Sequence, residues 1–371
     1  MNNVLVTGAK GFIGKNLIVV LKRRSDVDVA EYDLDSPPCL LEEGLAKADV
    51  VYHLAGINRP ERFEEFAEGN FDLTRQICDA LRRLRRMPLF VLSSSTQAVQ
   101  DNPYGISKRR AEDAVFDFGR ETGASVFVFR LLGVFGKWCR PNYNSVVATF
   151  CHNIARNIPI AISDPAREIE LVYIDDVVHA FVGVMDGRPP VSEDRYCIGD
   201  PTYRISLGAL AETIRGFRDS RVSLDLPDIS NPFIRTLYST YVSYLPTDSF
   251  AYTLTQRADL RGELAELLKS HRIGQLFLSR TRPGFMRGNH YHDTKIEKFI
   301  VMEGDALIRF RHILGGDVIE YPVSGREFRV VDIPPGFTHS IENIGQNDLI
   351  TLFWAAEVFD PDIPDAFEMS V

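Results

Sequence analysis

Near the N-terminus, a glycine-rich turn directly follows a strand-like apolar run at residues 3–6. Glycines recur there at every third position, and their missing Cβ atoms let the backbone approach a pyrophosphate and let the next helix pack on the strand. The N-terminus of that helix then offers N–H donors to the anion. The spacing therefore predicts a dinucleotide-binding turn made of Gly8, Lys10, Gly11, Phe12, Ile13 and Gly14.

Strand-like runs continue to alternate with helical patterns up to about residue 190. Between the runs, apolar residues recur at intervals of three or four. Such alternation is typical of a parallel sheet covered by helices on both faces. We therefore predict a doubly wound α/β domain of the Rossmann type. The runs span residues 4–6, 27–32, 50–54, 89–92 and 125–131.

Length and composition restrict the class of protein further. A chain of 371 residues is too long for one ordinary core and suits two domains. Its net charge of -9 argues against nucleic acid as a partner, because nucleic-acid binders usually carry a basic surface. The five cysteines are scattered, and neither a secretory leader nor an apolar run long enough for membrane insertion is visible. These features predict a cytoplasmic protein.

An acidic side chain follows the second predicted strand. Asp33 comes nineteen residues after Gly14, and a carboxylate at that position can accept hydrogen bonds from the adenosine ribose of NAD(H). Lys10, within the glycine turn, could instead pair with the 2′-phosphate of NADP(H). The residues alone leave the choice between the two cofactors open.

The main catalytic signal is Tyr104 and Lys108, which are four residues apart behind the helix-starting segment 101–103. This spacing puts both side chains on one helix face. A phenol has a pKa of about 10, and a neighbouring ammonium lowers it so that the phenol can exchange protons near neutrality. Ser95, with Ser94 as the second choice, ends the preceding strand and can hydrogen-bond a substrate carbonyl. We predict Ser95, Tyr104 and Lys108 to be catalytic.

In combination, these motifs resemble the extended short-chain dehydrogenases/reductases that act on nucleotide sugars. The resemblance implies that the tyrosine passes a proton to or from a sugar oxygen while nicotinamide exchanges a hydride. It also implies cofactor contacts at Leu54, Ala55 and Gly56. It covers about residues 1–240 and rests on the glycine turn, the serine strand, Tyr104 and Lys108, Asn70, and the segments 53–56, 130–136 and 173–177.

The residues directly after Ser95 are Thr96 and Gln97. In the sugar 4,6-dehydratases of the same family, an acidic pair stands at these positions and eliminates water. The sequence lacks that general acid, so ketone reduction is favoured over dehydration.

The pattern loosens beyond about residue 186, and we predict a domain boundary between residues 245 and 246. Residues 1–245 then form the reductase domain, and residues 246–371 form a second domain. Glycine-punctuated runs in the second part have strand-like content, which predicts an all-β antiparallel barrel or sandwich. These runs are residues 275–278, 298–302, 306–310, 328–333 and 349–354.

Four side chains of the second domain have the pattern of a metal site. His290 and His292, at alternate positions of one strand, point to the same side. Glu297 follows, and a later strand can bring His339 beside them. Three imidazoles and a carboxylate suit Zn²⁺ or another divalent transition metal. The alternative is a metal-free domain whose histidines hydrogen-bond a ligand.

The second domain resembles the cupin family, which implies a cupin barrel. Segments 259–262 and 287–290 also resemble the rhamnose-pathway sugar 3,5-epimerases, in which the histidine at the position of His290 is the base. The nearby His292 and Glu297 favour metal ligation over a role of His290 as the base. A metal ion bound there could act as a Lewis acid and polarise a ketone. The cupin motifs are matched by Gly284, His290, His292, Glu297 and Gly304, then by Pro334, Gly336, His339 and Asn343.

A 4-keto nucleotide sugar would serve both domains, because its ketone acidifies the adjacent C–H for epimerisation and then accepts a hydride. Over essentially the whole chain, the fusion resembles a family of bifunctional capsular-polysaccharide enzymes. This resemblance implies C3 epimerisation of a UDP-2-acetamido-2,6-dideoxy-4-hexulose by the cupin, then C4 reduction with NADPH to the L-talose derivative. It also implies a homodimer formed mainly through the cupin.

Lys137, Arg140 and Asn142 are candidates for binding the pyrophosphate of the substrate, with solvation of a loop as the equal alternative. Two other functions stay open on the sequence alone. One is a reductase whose cupin is purely structural, and the other is a non-enzymatic sensor of dinucleotide and sugar. The sensor is disfavoured because binding alone needs no acid-base couple.

Overall fold

The structure, a computed structural model, describes residues 1–190 and 195–371. They cluster into two compact units, the first made of Met1–Arg215 and Thr236–Pro246 and the second of Gly216–Arg235 and Thr247–Val371. The predicted division at 245/246 assumed two contiguous domains and therefore missed the segment Gly216–Arg235, which joins the second unit. Among the described residues, no helix combines the length and the apolarity needed to cross a bilayer.

The first unit is built around a six-stranded sheet in the order β2-β1-β3-β4-β5-β8, and all five of its pairings are parallel. A smaller sheet, β6-β7-β9, has one parallel and one antiparallel pairing. The predicted doubly wound parallel sheet is confirmed. The strands are β1 (Asn2–Thr7), β2 (Val27–Tyr32), β3 (Val50–His53), β4 (Leu89–Ser95), β5 (Val126–Leu131), β6 (Gly133–Phe135), β7 (Glu168–Tyr173), β8 (Tyr196–Cys197) and β9 (Thr202–Ser206).

The α-helices among the described residues are α1 (Phe12–Leu21), α2 (Pro38–Lys47), α3 (Glu64–Phe66), α4 (Leu73–Leu84), α5 (Pro103–Thr122), α6 (Val146–Ile154), α7 (Ile174–Met185), α8 (Leu207–Ser223) and α9 (Pro232–Ser243). Val4 and Val6 pack with α1 and α7 on one face of the large sheet, and Leu5 packs with α2, α4 and α5 on the other. Successive side chains of a strand point to opposite faces of the sheet. A continuous apolar run therefore makes both faces apolar.

The chain leaves β1 toward β2 on one side and returns to β3 on the other. A crevice forms at such a switch point, outside the carboxyl ends of the strands, and this is where doubly wound folds bind ligands. The glycine turn follows β1 at this point.

The second unit consists of two antiparallel sheets, in the orders β10-β11-β12-β19-β14-β17 and β16-β15-β18-β13-β20. Apolar side chains from both sheets, such as Phe299 and Ile341, share one core. The all-β antiparallel prediction is confirmed. The strands are β10 (Gln256–Asp259), β11 (Gly262–Ser270), β12 (Gly274–Thr281), β13 (Met286–Tyr291), β14 (Glu297–Glu303), β15 (Asp305–His312), β16 (Ile319–Ser324), β17 (Val330–Ile333), β18 (Phe337–Asn343), β19 (Leu349–Ala355) and β20 (Phe367–Glu368).

Candidate active site and metal centre

The glycine turn is packed too tightly for any larger residue. Gly8 has a left-handed φ of 71°, and a Cβ on it would lie 2.6 Å from the backbone nitrogen of Ala55. A Cβ on Gly14 would lie 2.2 Å from the carbonyl oxygen of Gly8. Phe12 and Ile13 begin α1 and pack their side chains against the core. They can therefore serve a cofactor only through backbone N–H groups at the helix start.

Asp33 and Lys10 are close together, as a cofactor-selecting pair must be. Asp33 follows β2, and its Oδ2 accepts a hydrogen bond from the backbone N–H of Lys10 at 2.7 Å. The Lys10 ammonium forms an ion pair with Asp35, and both side chains are more than half exposed, at 64% and 67%. An exposed ion pair contributes little free energy, so Lys10 can exchange Asp35 for a phosphate.

Helix α5 begins where the sequence predicts and carries Tyr104 and Lys108 on one face. The Asn102 side chain caps it by accepting a hydrogen bond from the Gly105 N–H at 2.8 Å. A Cβ at Gly105 would lie 2.3 Å from the carbonyl oxygen of Gln100. Glycine after the tyrosine is therefore needed for the helix to start at this point.

Ser95, the last residue of β4, hydrogen-bonds to Tyr104 through its side chain. Burial raises the pKa of Tyr104, and the contact with Ser95 works in the opposite direction. The net pKa shift is upward, contrary to the predicted lowering, and Ser95 rather than Lys108 is the group that acts against burial. The second candidate, Ser94, is engaged elsewhere, since its hydroxyl donates to the buried carboxylate of Glu112 at 2.5 Å. The geometry favours Ser95 as the substrate-facing serine.

Lys108 is a buried ammonium under the loop that follows β3. Its Nζ donates to the carbonyl oxygen of Ser93 at 3.3 Å. Burial lowers the pKa of Lys108 to about 8, while Glu112 acts to raise it. A Cβ on Gly56 would lie 2.9 Å from Lys108 Nζ and 2.8 Å from Asn70 Oδ1. Glycine at this position lets the loop backbone pass directly beside the ammonium.

Asn70 organises this loop, and only the family resemblance pointed to it. It lies in a π-helix, Ala67–Asp72, and such turns are frequent at functional sites. Its Oδ1 accepts from the Ile57 N–H at 3.0 Å, and its Nδ2 donates to the Ile57 carbonyl and to Ser107 Oγ, both at 3.1 Å. No local spacing in the sequence predicts this role, because π-helical turns have no simple periodic signal.

Stability is expected to depend on pH through Lys108. Its pKa falls from 10.5 to about 8 on folding, so between these values the unfolded chain binds more protons. The free energy of unfolding therefore rises with pH through this group. We expect wild type to gain stability relative to Lys108→Met over that interval, as measured by urea unfolding at several pH values. A stability difference that stays constant would contradict a buried ammonium.

The three predicted substrate-binding residues lie in the loop between β6 and α6. Lys137 is paired with Asp175. Asn142 has a left-handed φ of 54°, and its backbone N–H donates to Thr149 Oγ1 at 2.9 Å. Its side chain is exposed. Arg140, the third of them, is also exposed and forms part of a cationic pair.

That cationic pair consists of Arg140 and Arg59, which both lie close to one aromatic ring. Their guanidinium carbons lie 5.1 and 5.9 Å from the ring centroid of Tyr143. In the part of the chain that the structure describes, neither arginine has an acidic side chain at ion-pair distance. Two guanidinium groups that contact the same ring and have no acidic partner suit an anionic group. The sequence analysis missed Arg59, because more than eighty positions separate it from the loop of Arg140.

The four predicted metal ligands converge in the second unit. His290, His292, Glu297 and His339 each offer one ligand atom, and these atoms all lie within 4.8 Å of one another. His290 on β13 and His339 on β18 are direct partners in the antiparallel register. His292 directly follows β13, and Glu297 begins β14.

The chemistry of this cluster fits a metal ion. His292 Nε2 and both ring nitrogens of His339 are buried without a hydrogen-bond partner. Glu297 Oε2 lies 3.3 Å from His292 Nε2 and 3.6 Å from His339 Nε2. Buried polar atoms normally have a partner. Zn²⁺ or a similar divalent ion would provide one for His292 Nε2 and for one ring nitrogen of His339.

Electrostatics supports the same interpretation. Burial lowers the pKa of His290 to about 4, so its imidazole is neutral at physiological pH. Burial acts to raise the pKa of Glu297, but His292 and His339 bring it down to about 2. A neutral imidazole and an ionised carboxylate are the protonation states that bind metal.

A glycine turn on a doubly wound sheet, with a serine, a tyrosine and a lysine at its carboxyl edge, defines an enzyme that uses a nicotinamide dinucleotide. Residues 4–199 match the model of the NAD dependent epimerase/dehydratase family. Residues 257–367 match the polysaccharide biosynthesis C-terminal domain. The chain belongs to the NAD-dependent epimerase/dehydratase family and carries this second domain at its C-terminal end.

Two relatives match the whole chain. The UDP-2-acetamido-2,6-beta-L-arabino-hexul-4-ose reductase of Pseudomonas aeruginosa is 46% identical over 368 residues, which is 99% of this chain and 98% of the relative. The capsular polysaccharide assembling protein CapF from Staphylococcus aureus superposes with a TM-score of 0.93 at 43% identity over 100% of both chains. The chain is therefore a close homologue of CapF. The predicted resemblance to the capsular-polysaccharide enzymes is confirmed.

A more distant structure shares the fold of the first part alone. UDP-glucuronic acid 4-epimerase from Bacillus cereus superposes with a TM-score of 0.51 at 19% identity, covering 58% of this chain and 82% of that structure. The region in common is consistent with the Rossmann-type sheet described above.

Proposed function

We propose that the second unit epimerises C3 of a UDP-2-acetamido-2,6-dideoxy-4-hexulose and that the first unit then reduces its C4 ketone with NADPH. The product is UDP-2-acetamido-2,6-dideoxy-L-talose, a step toward UDP-N-acetyl-L-fucosamine for capsular or O-antigen polysaccharide. The observation that carries this proposal is the convergence of Ser95, Tyr104 and Lys108 at the carboxyl edge of the sheet. The name of the 46% identical relative, a hexul-4-ose reductase, supports the reductive step.

In the reductive step, Ser95 and Tyr104 hold the ketone oxygen. The hydride that adds to C4 would come from a reduced nicotinamide bound at the glycine turn. The Tyr104 hydroxyl gives its proton to the oxygen, so that the C=O bond becomes a secondary alcohol. Lys108 lies at the base of the site and stabilises the phenolate that remains. NADPH is favoured over NADH because Lys10 can release Asp35 and pair with a 2′-phosphate.

Dehydration is not part of the proposal. Thr96 and Gln97 follow Ser95 and begin a short 3₁₀ helix, Thr96–Val99. Neither side chain is a general acid at neutral pH. The site can therefore protonate a ketone oxygen through Tyr104, but it has no group at these positions that would expel a hydroxyl as water.

The epimerising half is assigned to the metal cluster. His290, His292, Glu297 and His339 would hold a divalent transition metal, Zn²⁺ being the first choice, and this ion would act as a Lewis acid toward the 4-ketone. The order of steps follows from the chemistry, because reduction removes the carbonyl that acidifies the C3 hydrogen. We also propose a cytoplasmic homodimer formed through the second unit.

As a direct test, purified protein is incubated with the UDP-4-keto sugar and either NADPH or NADH. The products are then identified by NMR. We expect NADPH oxidation together with the C3-epimerised, C4-reduced sugar. If the protein neither consumes a cofactor nor changes the keto sugar, the proposal is overturned. Reduction without epimerisation would mean that the second unit has only a structural role.

The pair formed by Arg59 and Arg140 is expected to bind the diphosphate of the substrate. A charge-assisted hydrogen bond is worth about 1.5–3 kcal/mol, so Arg59→Ala and Arg140→Ala should each raise KM for the nucleotide sugar about 10- to 100-fold. We expect kcat to stay within about twofold of wild type. The matched control is Arg62→Ala, from the same loop, whose partner is Glu65 at 3.3 Å. An unchanged KM in both test variants would contradict this role.

A further inference from the structure

We infer that Asp365, near the C-terminus, positions the metal ligand His292 and the loop that joins it to Glu297. The inference rests on the metal ligation proposed above. Asp365 is the first residue of a segment, 365–371, that runs back along β13 and includes β20. This residue contributes both its backbone carbonyl and its carboxylate to the neighbourhood of the cluster.

The carbonyl of Asp365 sets the orientation of His292. It accepts a hydrogen bond from Nδ1 of that imidazole, and because a carbonyl can only accept, Nδ1 carries the proton. The lone pair is then on Nε2, which is the nitrogen 3.3 Å from Glu297 Oε2. Nε2 is buried and has no hydrogen-bond partner. The carbonyl thus selects the tautomer and ring orientation that metal ligation requires.

The carboxylate of Asp365 holds the loop between the two ligands. It accepts hydrogen bonds from the backbone N–H groups of Asp293, Thr294 and Lys295 at 2.7, 2.9 and 2.7 Å. The Thr294 hydroxyl donates to the same carboxylate at 3.0 Å. All of these donors belong to the short segment that separates the two ligands in the chain. Without the carboxylate, three backbone donors would lose their acceptor.

The rest of the C-terminal segment attaches to the strands that carry the other two histidines. Glu368 on β20 is the register partner of His290 on β13. The Met369 N–H donates to the carbonyl oxygen of Asn289 at 2.9 Å, and the Thr338 hydroxyl donates to the carbonyl of Met369. Thr338 immediately precedes His339. The segment therefore contacts a residue directly adjacent in sequence to each of the three imidazole ligands.

The experiment measures Co²⁺ binding by the full-length chain, in competition with a chromophoric chelator. Asp365→Asn replaces one acceptor oxygen by a donor. It is expected to bind Co²⁺ about 10- to 100-fold more weakly than wild type and to alter the visible Co²⁺ spectrum. Asp362→Asn, an exposed position three residues before Asp365, is the matched control and should bind as wild type does. Equal Co²⁺ affinity of Asp365→Asn and wild type overturns the inference.

A double-mutant cycle separates positioning of His292 from a general effect on folding. If Asp365 acts through His292, Asp365→Asn should weaken Co²⁺ binding little further in the His292→Ala background, whereas additive losses overturn the inference. If Asp365→Asn does not fold, Asp365→Glu takes its place and should bind several-fold more weakly than wild type; equal binding counts against the inference. Wild-type protein that binds no Co²⁺ overturns the metal site as well, while reduction by the Tyr104 site is measured independently.

Discussion

Tyr104→Phe is expected to reduce the rate of NADPH-dependent ketone reduction by about 10²- to 10⁴-fold, the usual contribution of a positioned proton donor. The substitution removes only the hydroxyl, so the ring keeps its packing against Phe66, whose centroid lies 5.6 Å away. Exchange of the C3 hydrogen with solvent, which we assign to the second unit, should continue. The measurement combines loss of NADPH absorbance with NMR of the sugar in D₂O.

Tyr52→Phe is the matched control for this variant. The Tyr52 hydroxyl is also buried in the first unit, but it donates to the Phe181 carbonyl at 2.9 Å and has no part in the proposed chemistry. Its removal should cost about 1 kcal/mol of stability and leave reduction intact. Reduction by Tyr104→Phe near the wild-type rate would show that another group protonates the ketone oxygen.

The sequence predicted the architecture well wherever an element is apolar and regularly spaced. Strands β1, β3, β4 and β5 contain runs of buried residues, and each of the corresponding predicted runs contains or overlaps one of these strands. These strands form the middle of a sheet covered on both faces, and burial on both faces requires the continuous apolar runs that the prediction used.

The strands that escaped prediction are short, exposed or polar. The edge strand β16 is mostly exposed and therefore lacks an apolar face to recognise. β13 and β18 were expected only as the strands that carry His290 and His339 and are not among the predicted apolar runs, because polar residues interrupt their alternation, as in the run Phe337–Asn343. Local sequence rules fail at these two strands because their residues are suited to the metal cluster rather than to a typical strand.

The residues of the candidate site also divide into those that local sequence patterns predict and those that they do not. Tyr104 with Lys108 and His290 with His292 were found because helix and strand periods put each pair on one side. Asn70, Arg59 and Asp365 reach their partners through tertiary folding over long stretches of chain. Their contacts depend on how loops pack, and a single sequence has no periodic signal for that.

The second large effect is expected in the metal cluster. His290→Ala removes one of three imidazole ligands and should reduce solvent deuterium uptake at C3 of the 4-keto sugar by at least about 100-fold, since even outer-shell changes at metal sites cost 10- to 100-fold. Dialysis of wild type against a chelator should have the same effect. Added Zn²⁺ or Co²⁺ should restore exchange in wild type but not in the variant.

His271→Ala is the control for this prediction, because His271 is exposed at the β11–β12 turn of the same unit and lies outside the cluster. Reduction of a sugar that already has the epimerised C3 should proceed in both variants, since Ser95, Tyr104 and Lys108 are untouched. Unimpaired deuterium uptake by His290→Ala would make the second unit a scaffold. The function would then be reduction alone, because no other group of four possible metal ligands is found among the described residues.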